Sequence, residues 1–473
     1  MILERAEDLD RRAVVAVAHG EPLELGPGLL AVLERSRATT LAALADAGPV
    51  YGVSTGMGLQ SHLAVGTEDQ ASYQSGLMLA RAVGSEPWLD ARSVRAAVAT
   101  RLRTLLPPEA GVSPALAVAV AGLLDRDVAL PAGGSGAAGE IVPLAHLGQA
   151  LVDAGQPLGP KEGVALLQGV PVSTGRALLL AHDARVLAGQ VLAVVAAEHA
   201  LVRAPRDPWH PALSRGDVLL EHVDALLREL AGPEPASRML QAPVSFRVAD
   251  RAVVALLRAA GHLDAAAERA LSGVTTSPAL VDGRFLGTAG FDGFEVAAGL
   301  DALRVAAIHL AETGAARLHR MLDPRVTGLP AQLSPEPGRH TGLVAVHKRA
   351  VGRVHHLRRT AAPAAVGATE TSLGQEDVQS FGLEAATALD DALAGLRDVT
   401  ACELLAVHRA TLLDPSLPQG SERLKMVLQQ GFASLPTDTG DRAFGRDVGV
   451  LVHDLGVGWA ADVLGDVDDA RSA

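Results

Sequence analysis

Apolar residues recur every three or four positions over most of the chain, the spacing that places them on one face of an α-helix. In residues 27–47 the apolar positions centre on Leu29, Leu33 and Leu41, while Glu34 would face solvent. The same periodicity continues over eight further stretches, residues 93–106, 114–124, 175–201, 215–230, 249–271, 294–322, 341–357 and 378–412. Several exceed twenty residues, a length that favours an elongated helical bundle. The pattern predicts an all-α fold.

Alternation of apolar and polar residues with a period of two, which is typical of strands, is scarce. The exception is residues 281–286, where Asp282 and Gly283 form a favoured hairpin turn pair. We expect a short hairpin there. Clusters of glycine and proline separate the helices, and three of them are longer or richer in glycine than a helix connector requires. Long loops on a helical scaffold are where functional sites tend to lie.

The net charge of -13 comes from acids spread along the chain, which argues against a nucleic-acid or anionic-membrane surface. Cys402 is the only cysteine, so neither an intramolecular disulfide nor a cysteine-based metal site is expected. The N-terminus lacks the pattern of a signal peptide, and the uncharged apolar stretch 186–197 is too short to span a bilayer. We therefore expect a cytoplasmic protein.

The most specific segment is residues 131–146, which read Pro-Ala-Gly-Gly-Ser-Gly-Ala-Ala-Gly-Glu-Ile-Val-Pro-Leu-Ala-His. Its frame resembles the signature of the histidine and aromatic amino-acid ammonia-lyases, which form a methylidene-imidazolone electrophile from an internal Ala-Ser-Gly. Residues 51–58, Tyr-Gly-Val-Ser-Thr-Gly-Met-Gly, are similar to that family's Tyr-Gly-Val-Asn-Thr-Gly-Phe-Gly loop. Residues 161–168 and 375–377 match two further segments in the right order. Below, residues 51–58 are the Tyr51 loop and residues 131–140 the Ala138 loop.

The resemblance implies an all-α fold of long, near-parallel helices with a loop-rich N-terminal region, assembled as a homotetramer whose sites are shared between subunits. We place the two loops in an N-terminal region, residues 1–205. The central and C-terminal helical bundle would follow in residues 206–473, within one continuous structural unit.

The family's tripeptide is altered, because Ala137, Ala138 and Gly139 stand where Ala-Ser-Gly is required. In the family the backbone cyclises at this tripeptide and the serine loses its hydroxyl as water. Alanine has no β-oxygen to lose, so the exocyclic methylene cannot arise by this route. Ser135 lies three residues earlier and does not fill the register. We therefore predict that the prosthetic group is absent and that no other cofactor is needed.

Other positions of the family's site are retained. Tyr51 matches the tyrosine that removes a proton from the substrate, a task for which a phenol's ordinary pKa of about 10 must be offset by its surroundings. Arg247 matches the arginine that clamps the substrate carboxylate, where two parallel hydrogen bonds suit the geometry. Gln241, Phe291 and Glu376 also match site residues.

The departures from the family form a pattern. Val244 stands where the family has a second essential tyrosine, and Gln168 replaces the asparagine beside the electrophile. Gly290 and Asp292 replace the residues that flank the matched phenylalanine. These changes favour natural divergence over a single artificial replacement of serine by alanine.

Arg81 ends the segment 74–81, which aligns with the family's selectivity helix. An arginine there favours a substrate with an anionic distal group and disfavours an aryl one. Alternatively, Arg81 pairs with Asp292 and closes the pocket.

These residues lead to three hypotheses. The first is an electrophile-free lyase that uses Tyr51 as base, Arg247 as carboxylate clamp and Glu376 as a proton or amine partner. It would catalyse elimination, conjugate addition or isomerisation of a small, amino-acid-like carboxylate. The second is a catalytically dead homologue that binds a ligand or serves as a scaffold. The third is an ordinary amino-acid ammonia-lyase whose serine has been replaced artificially.

The chain's histidines do not suggest a metal centre. None has a carboxylate at the usual ligand spacing in a believable loop; those considered are His146, His210, His340, His347, His355 and His356. We expect no bound metal.

Overall fold

The protein is all-α, as the sequence predicts. A computed structural model describes residues 1–367 and 369–461. Its helices are α1 (Arg11–Ala18), α2 (Pro27–Asp46), α3 (Gln70–Arg81), α4 (Ala91–Leu105), α5 (Pro114–Ala121), α6 (Ile141–Asp153), α7 (Glu162–Leu167), α8 (Pro171–Val202), α9 (Val218–Ala231), α10 (Val244–Arg247), α11 (Ala249–Ser272), α12 (Phe294–Met321), α13 (Pro324–Thr327), α14 (Val344–Arg359), α15 (Gly382–Leu413), α16 (Glu422–Phe432) and α17 (Phe444–Gly456).

Two small strand pairs and several short 3-10 helices accompany the α-helices. Strands β3 (Ala279–Val281) and β4 (Arg284–Leu286) are antiparallel, which confirms the predicted hairpin around the Asp-Gly turn. Strands β1 (Ile2–Leu3) and β2 (Glu24–Leu25) pair in parallel. This second pair was not predicted, since two-residue strands show no alternation.

The predicted helices all form, with shifts at their ends. Helix α8 begins at Pro171, four residues before the predicted start, because proline is well suited to the first turn of a helix. Helix α15 begins at Gly382 instead of residue 378. Helix α5 stops at Ala121 and continues only as a 3-10 turn. Helix α3 contains the segment 74–81 that aligns with the family's selectivity helix, and α6 begins two residues before Pro143, near which the sequence predicts a helix to open. The shorter helices α1, α7, α10, α13, α16 and α17 were not predicted.

Helix α8 is a core helix. It is 32 residues long and consists largely of alanine, valine and leucine on all sides, the composition of a helix buried around its whole circumference. The segment Glu162–Val202 is long and apolar enough to cross a membrane by length and composition alone, yet 78% of its most apolar window is buried inside the protein. The predicted helix, residues 175–201, falls short of α8 by four residues at its start and one at its end.

The described chain divides into two compact units. Unit 1 comprises Met1–His182, Gly261–Asp301 and Pro363–Leu389, and unit 2 comprises Asp183–Ala260, Ala302–Ala362 and the chain from Asp390 onward. The predicted boundary between residues 205 and 206 does not coincide with this division. The reason is that four of the boundaries fall inside helices α8, α11, α12 and α15, where no loop or change of composition marks them.

Unit 2 contains a fully buried ion cluster. Arg317 of α12 donates to Glu198 of α8 at 2.9 Å and lies 2.8 Å from the carboxylate of Glu403 of α15. Burial and the neighbouring Glu403 raise the pKa of Glu198, whereas Arg317 opposes that rise. Removing one member would leave a buried charge uncompensated, so the cluster fixes these helices together.

A second buried pair in unit 2 consists of two carboxylic acids. Asp224 of α9 and Asp250 of α11 both have fully buried side chains. Burial and the adjacent Asp250 raise the pKa of Asp224 to about 7. Burial also raises the pKa of Asp250, against which Arg251 acts from 3.9 Å. The pair therefore retains a proton near neutral pH.

This shared proton predicts how stability depends on pH. The pKa of Asp224 lies near 7 in the folded protein against an ordinary 3.8, so the folded state keeps a proton that the unfolded chain releases between these values. The pair's contribution to the free energy of unfolding is therefore present at pH 4 and falls as the pH rises through 7. We expect Asp224→Asn to raise the free energy of unfolding at pH 8 by about 1–3 kcal/mol relative to wild type, because a buried charge is removed.

Urea denaturation at pH 5 and pH 8 measures the effect. Asp217→Asn serves as the control, since Arg258 lowers the pKa of Asp217 and its contribution has the opposite sign. If the free energies of unfolding of Asp224→Asn and wild type differ by the same amount at both pH values, the shared proton is contradicted.

Candidate active site

The Tyr51 loop is held from beneath by a buried glutamine. Gln74 of α3 donates to the carbonyl of Gly52 at 2.9 Å and accepts from the N–H of Val164 in α7 at 2.9 Å. Gly52 has a φ of +70°, and a Cβ there would lie 2.6 Å from the Val164 side chain, so this turn requires glycine. The N–H of Gly58 donates to the phenol oxygen of Tyr51 at 2.7 Å. The phenol is thereby held by the loop that carries it.

The Ala138 loop is held by two carboxylates. Glu376 accepts from the N–H of Ala138 at 2.7 Å, and its other oxygen accepts from the Ser372 hydroxyl at 2.9 Å. Glu384, in the first turn of α15, accepts from the N–H of Gly134 at 2.9 Å. The backbone of the loop is thus fixed by hydrogen bonds to charged acceptors, which are stronger than bonds between neutral groups.

The end of the Ala138 loop is anchored by Glu140. Its buried carboxylate accepts from the N–H groups of Val172 at 2.6 Å and Ser173 at 2.8 Å, which lie in the first turn of α8. Helix N-termini favour negative charge. Burial nevertheless raises the pKa of Glu140 to about 7, while these donors and Arg101 lower it. Arg101 also donates to the carbonyl of Gln168.

Both loops border one cavity of about 1100 Å³ in unit 1. This volume is more than enough for an amino-acid-sized ligand. The lining includes seven residues that the sequence analysis selected, Tyr51, Arg81, Ala137, Ala138, Gln168, Phe291 and Glu376. The structure therefore brings the base candidate, the two alanines of the altered tripeptide and Glu376 to one cavity from segments that are far apart in the chain.

Three of the residues selected from the sequence do not belong to unit 1. Gln241, Val244 and Arg247 belong to unit 2 and are not among the described lining residues of this cavity. Arg247 ends α10 and is half-buried, whereas 58% of Val244 is exposed.

Asp292 and Gly139 belong to unit 1 but do not line the cavity. The carboxylate of Asp292 accepts from the N–H of Phe294 at 3.3 Å, at the start of α12. A Cβ at the preceding Gly290 would lie 2.1 Å from the carbonyl oxygen of Val274, so no larger residue fits there. Gly290 and Asp292, which differ from the family's residues, thus both have a role in the local backbone: one leaves room for a carbonyl oxygen and the other accepts a backbone hydrogen bond.

Arg81 and Asp292 form no ion pair in the described chain. The one hydrogen bond of Arg81 among the described residues is a long one, 3.5 Å to the carbonyl of Leu77. Arg81 lines the cavity, whereas Asp292 does not.

Several contributors were not selected from the sequence. Gln74, Glu384 and Arg101 act through contacts with residues distant in sequence, for which a single sequence gives no signal. Further lining residues that were missed are Gln60, Ser277, Ser372 and Asp377. Of these, Asp377 could have been suspected, because it directly follows Glu376.

Histidines at the edge of the site have structural partners. His146 of α6 accepts from the N–H of Gly84 at 2.9 Å, and its ring lies 5.7 Å from that of Trp88. Elsewhere in unit 1 the exposed rings of His19 and His182 lie 5.7 Å apart, a pair that the sequence analysis did not consider. The absence of a metal stays a prediction.

The comparisons with known proteins agree on one family. The model of the family described as aromatic amino acid lyase matches residues 9–157 and 154–430. Histidine ammonia-lyase from Rhodospirillum rubrum is 30% identical over 475 residues, which cover 92% of this chain and 92% of the relative. Tyrosine aminomutase from Streptomyces globisporus has a TM-score of 0.90 at 23% identity, over 98% of both chains. The ergothioneine-degrading enzyme ergothionase from Treponema denticola has a TM-score of 0.89 at 20% identity, over 98% of this chain and 100% of that enzyme.

The all-α fold, with a tyrosine loop and a glycine-rich loop at one cavity, agrees with the class of aromatic amino acid lyases. The chain belongs to the histidine and aromatic amino-acid ammonia-lyase family. The solved structures, all below 25% identity, bear on the fold alone.

The hydrogen bonds of Glu376 predict how the Ala138 loop responds to its loss. In Glu376→Gln the amide can accept from only one of its two present donors and turns an NH₂ group toward the other. We expect backbone amide exchange in residues 134–140 to become about tenfold faster, because a bond to a charged acceptor is lost. Hydrogen–deuterium exchange by mass spectrometry measures this. Glu370→Gln, at an exposed position on the same connecting segment, should leave the exchange unchanged; equal protection in Glu376→Gln and wild type would refute the clamp.

Proposed function

We propose that this protein is a lyase of the ammonia-lyase family that works without the methylidene-imidazolone electrophile. Its base would be Tyr51 and its substrate a small, amino-acid-like carboxylate. The observation that carries the proposal is that the cavity keeps Tyr51 and Glu376 beside a glycine-rich loop whose central residue is Ala138.

The position of Tyr51 supports its role as base. Its side chain is 37% exposed and borders the cavity, so a substrate C–H can reach the phenol oxygen. The hydrogen bond from the Gly58 N–H fixes the position of that oxygen at the border of the cavity. The chain's other tyrosine, Tyr73, is a poorer candidate, because burial raises the pKa of its phenol and it does not line the cavity.

The residues of the Ala138 loop do not fit the family's electrophile. The side chain at position 138 is a methyl group, so no hydroxyl can leave as water to create the methylene carbon. Ser135 is the serine of this loop, but it is only 5% exposed and is not a lining residue. Elimination of ammonia without the electrophile is difficult, since an amine is a poor leaving group. Three reactions therefore remain. They are an elimination with a better leaving group, a conjugate addition (the reverse of such an elimination), and an isomerisation next to a carbonyl group.

Glu376 would act on the amine or on a transferred proton. Both its oxygens accept hydrogen bonds, from Ala138 and Ser372, which holds the carboxylate in place beside the cavity. A carboxylate so placed attracts a substrate ammonium group. Gln168 and Phe291 would add a polar amide and an apolar wall.

Arg247 would bind the substrate carboxylate. Both Arg247 and Gln241 would come from a neighbouring subunit of a homotetramer. Its half-buried side chain lies close in sequence to exposed apolar residues, Leu240 at 94% and Val244 at 58%. Exposed apolar side chains of this kind are typical of surfaces that a partner covers. Binding of the substrate carboxylate by Arg247 would therefore require the assembled tetramer.

Proton removal can be tested without knowledge of the product. When the protein is incubated in D₂O with amino, hydroxy and unsaturated acids, NMR detects exchange of substrate C–H for deuterium. We expect exchange with at least one such acid, and we expect Tyr51→Phe to slow it by about 10²–10⁴-fold, the contribution of a general base.

Tyr73→Phe is the matched control, since it removes the chain's other phenol, and it should leave the exchange rate unchanged. Unaltered exchange in Tyr51→Phe would refute the base assignment. No exchange with any acid, although carboxylates bind, would favour a catalytically dead, ligand-binding homologue.

A further inference from the structure

We propose that the substrate is an acidic amino acid or a close analogue, whose second carboxylate is bound by Arg81. This inference rests on the proposed function and names the substrate class of the same site. It follows from the position of Arg81, its lack of an acidic partner and the charges that surround it.

Arg81 is the one cation among the described lining residues of the cavity. No carboxylate of the described chain lies within ion-pair distance of its guanidinium, and its hydrogen bond to the Leu77 carbonyl is long, at 3.5 Å. A guanidinium has five N–H donors. Most of them therefore have no hydrogen-bond partner among the described residues, and the residue that carries them lines the cavity.

The backbone that carries Arg81 is fixed. The residue ends α3, and the N–H of the next residue, Ala82, donates to the carbonyl of Met78 at 3.1 Å. Three residues after Arg81, the N–H of Gly84 donates to the ring of His146 at 2.9 Å. A Cβ at Gly84 would lie 2.6 Å from Pro131, so this turn is closely packed against the start of the Ala138 loop. The guanidinium is thus presented from a defined position.

The charge of the cavity makes Arg81 selective. The protein carries a net charge of -13, and the other charged lining residues are the acids Glu376 and Asp377. An amino acid with a neutral or aryl side chain would leave the guanidinium without a counter-charge from the ligand. A carboxylate supplies one negative charge in the planar shape that matches the guanidinium fork. The α-ammonium group of the same substrate is attracted to the acids.

A purely structural role would also place an arginine at this position, because a cation at the C-terminus of a helix is favourable. The two roles differ in ligand preference. A structural arginine affects stability alone, whereas a binding arginine distinguishes a carboxylate from the amide of the same shape.

Binding of isosteric acid and amide pairs separates these roles. Isothermal titration of the full-length assembled protein with L-aspartate and L-glutamate, and with L-asparagine and L-glutamine, gives the ratio of dissociation constants for each pair. We expect at least one acid to bind about 10–100-fold more tightly than its amide. In Arg81→Gln this preference should disappear because the acid binds more weakly, while amide binding stays within about twofold.

Arg81→Lys, which keeps the charge, should retain part of the preference for the acid. It provides a second variant in case Arg81→Gln does not fold. Arg35→Gln, at an exposed arginine of α2, should leave the ratio unchanged. Equal binding of acid and amide to wild type, a preference that survives in Arg81→Gln, or no binding of any of the four would overturn the inference. The proposed base is judged separately, because deuterium exchange with other acids remains measurable in each of these cases.

Discussion

The site depends on the hydrogen bonds that the buried carboxylate of Glu140 accepts. It joins the end of the Ala138 loop to the first turn of α8 through two backbone N–H groups, and α8 is the core helix. Without these donors the buried carboxylate would lose hydrogen bonds that offset the cost of its desolvation. Because the loop is tied to α8 at this point, Ala138 is held at the border of the cavity that Tyr51 also lines.

Three acids therefore hold the loop that matches the family's Ala-Ser-Gly segment. Glu140 anchors its end, while Glu376 and Glu384 fix the N–H groups of Ala138 and Gly134. These contacts support the proposal that the protein uses this cavity with a different source of reactivity, centred on the phenol of Tyr51.

The sequence predicts the fold well where the signal is local. The periodicity of α2 and the Asp-Gly turn of the hairpin identify their elements within a few residues, and the loop motifs identify Tyr51 and Glu376. The tertiary contacts escape such analysis. Gln74 looks like an ordinary helix residue until Gly52 and Val164 are placed around it. The two compact units are equally hidden, because their boundaries lie within continuous helices.

The most direct test of an electrophile-free site combines the intact mass and near-ultraviolet absorbance of the native protein, with a denatured sample as reference. With only 3 Trp and 2 Tyr in the chain, an additional chromophore would be visible above a low background. The account predicts the mass of the unmodified chain and no extra band. A mass reduced by two waters, together with an extra band in the native protein, would contradict it and restore ordinary ammonia-lyase chemistry.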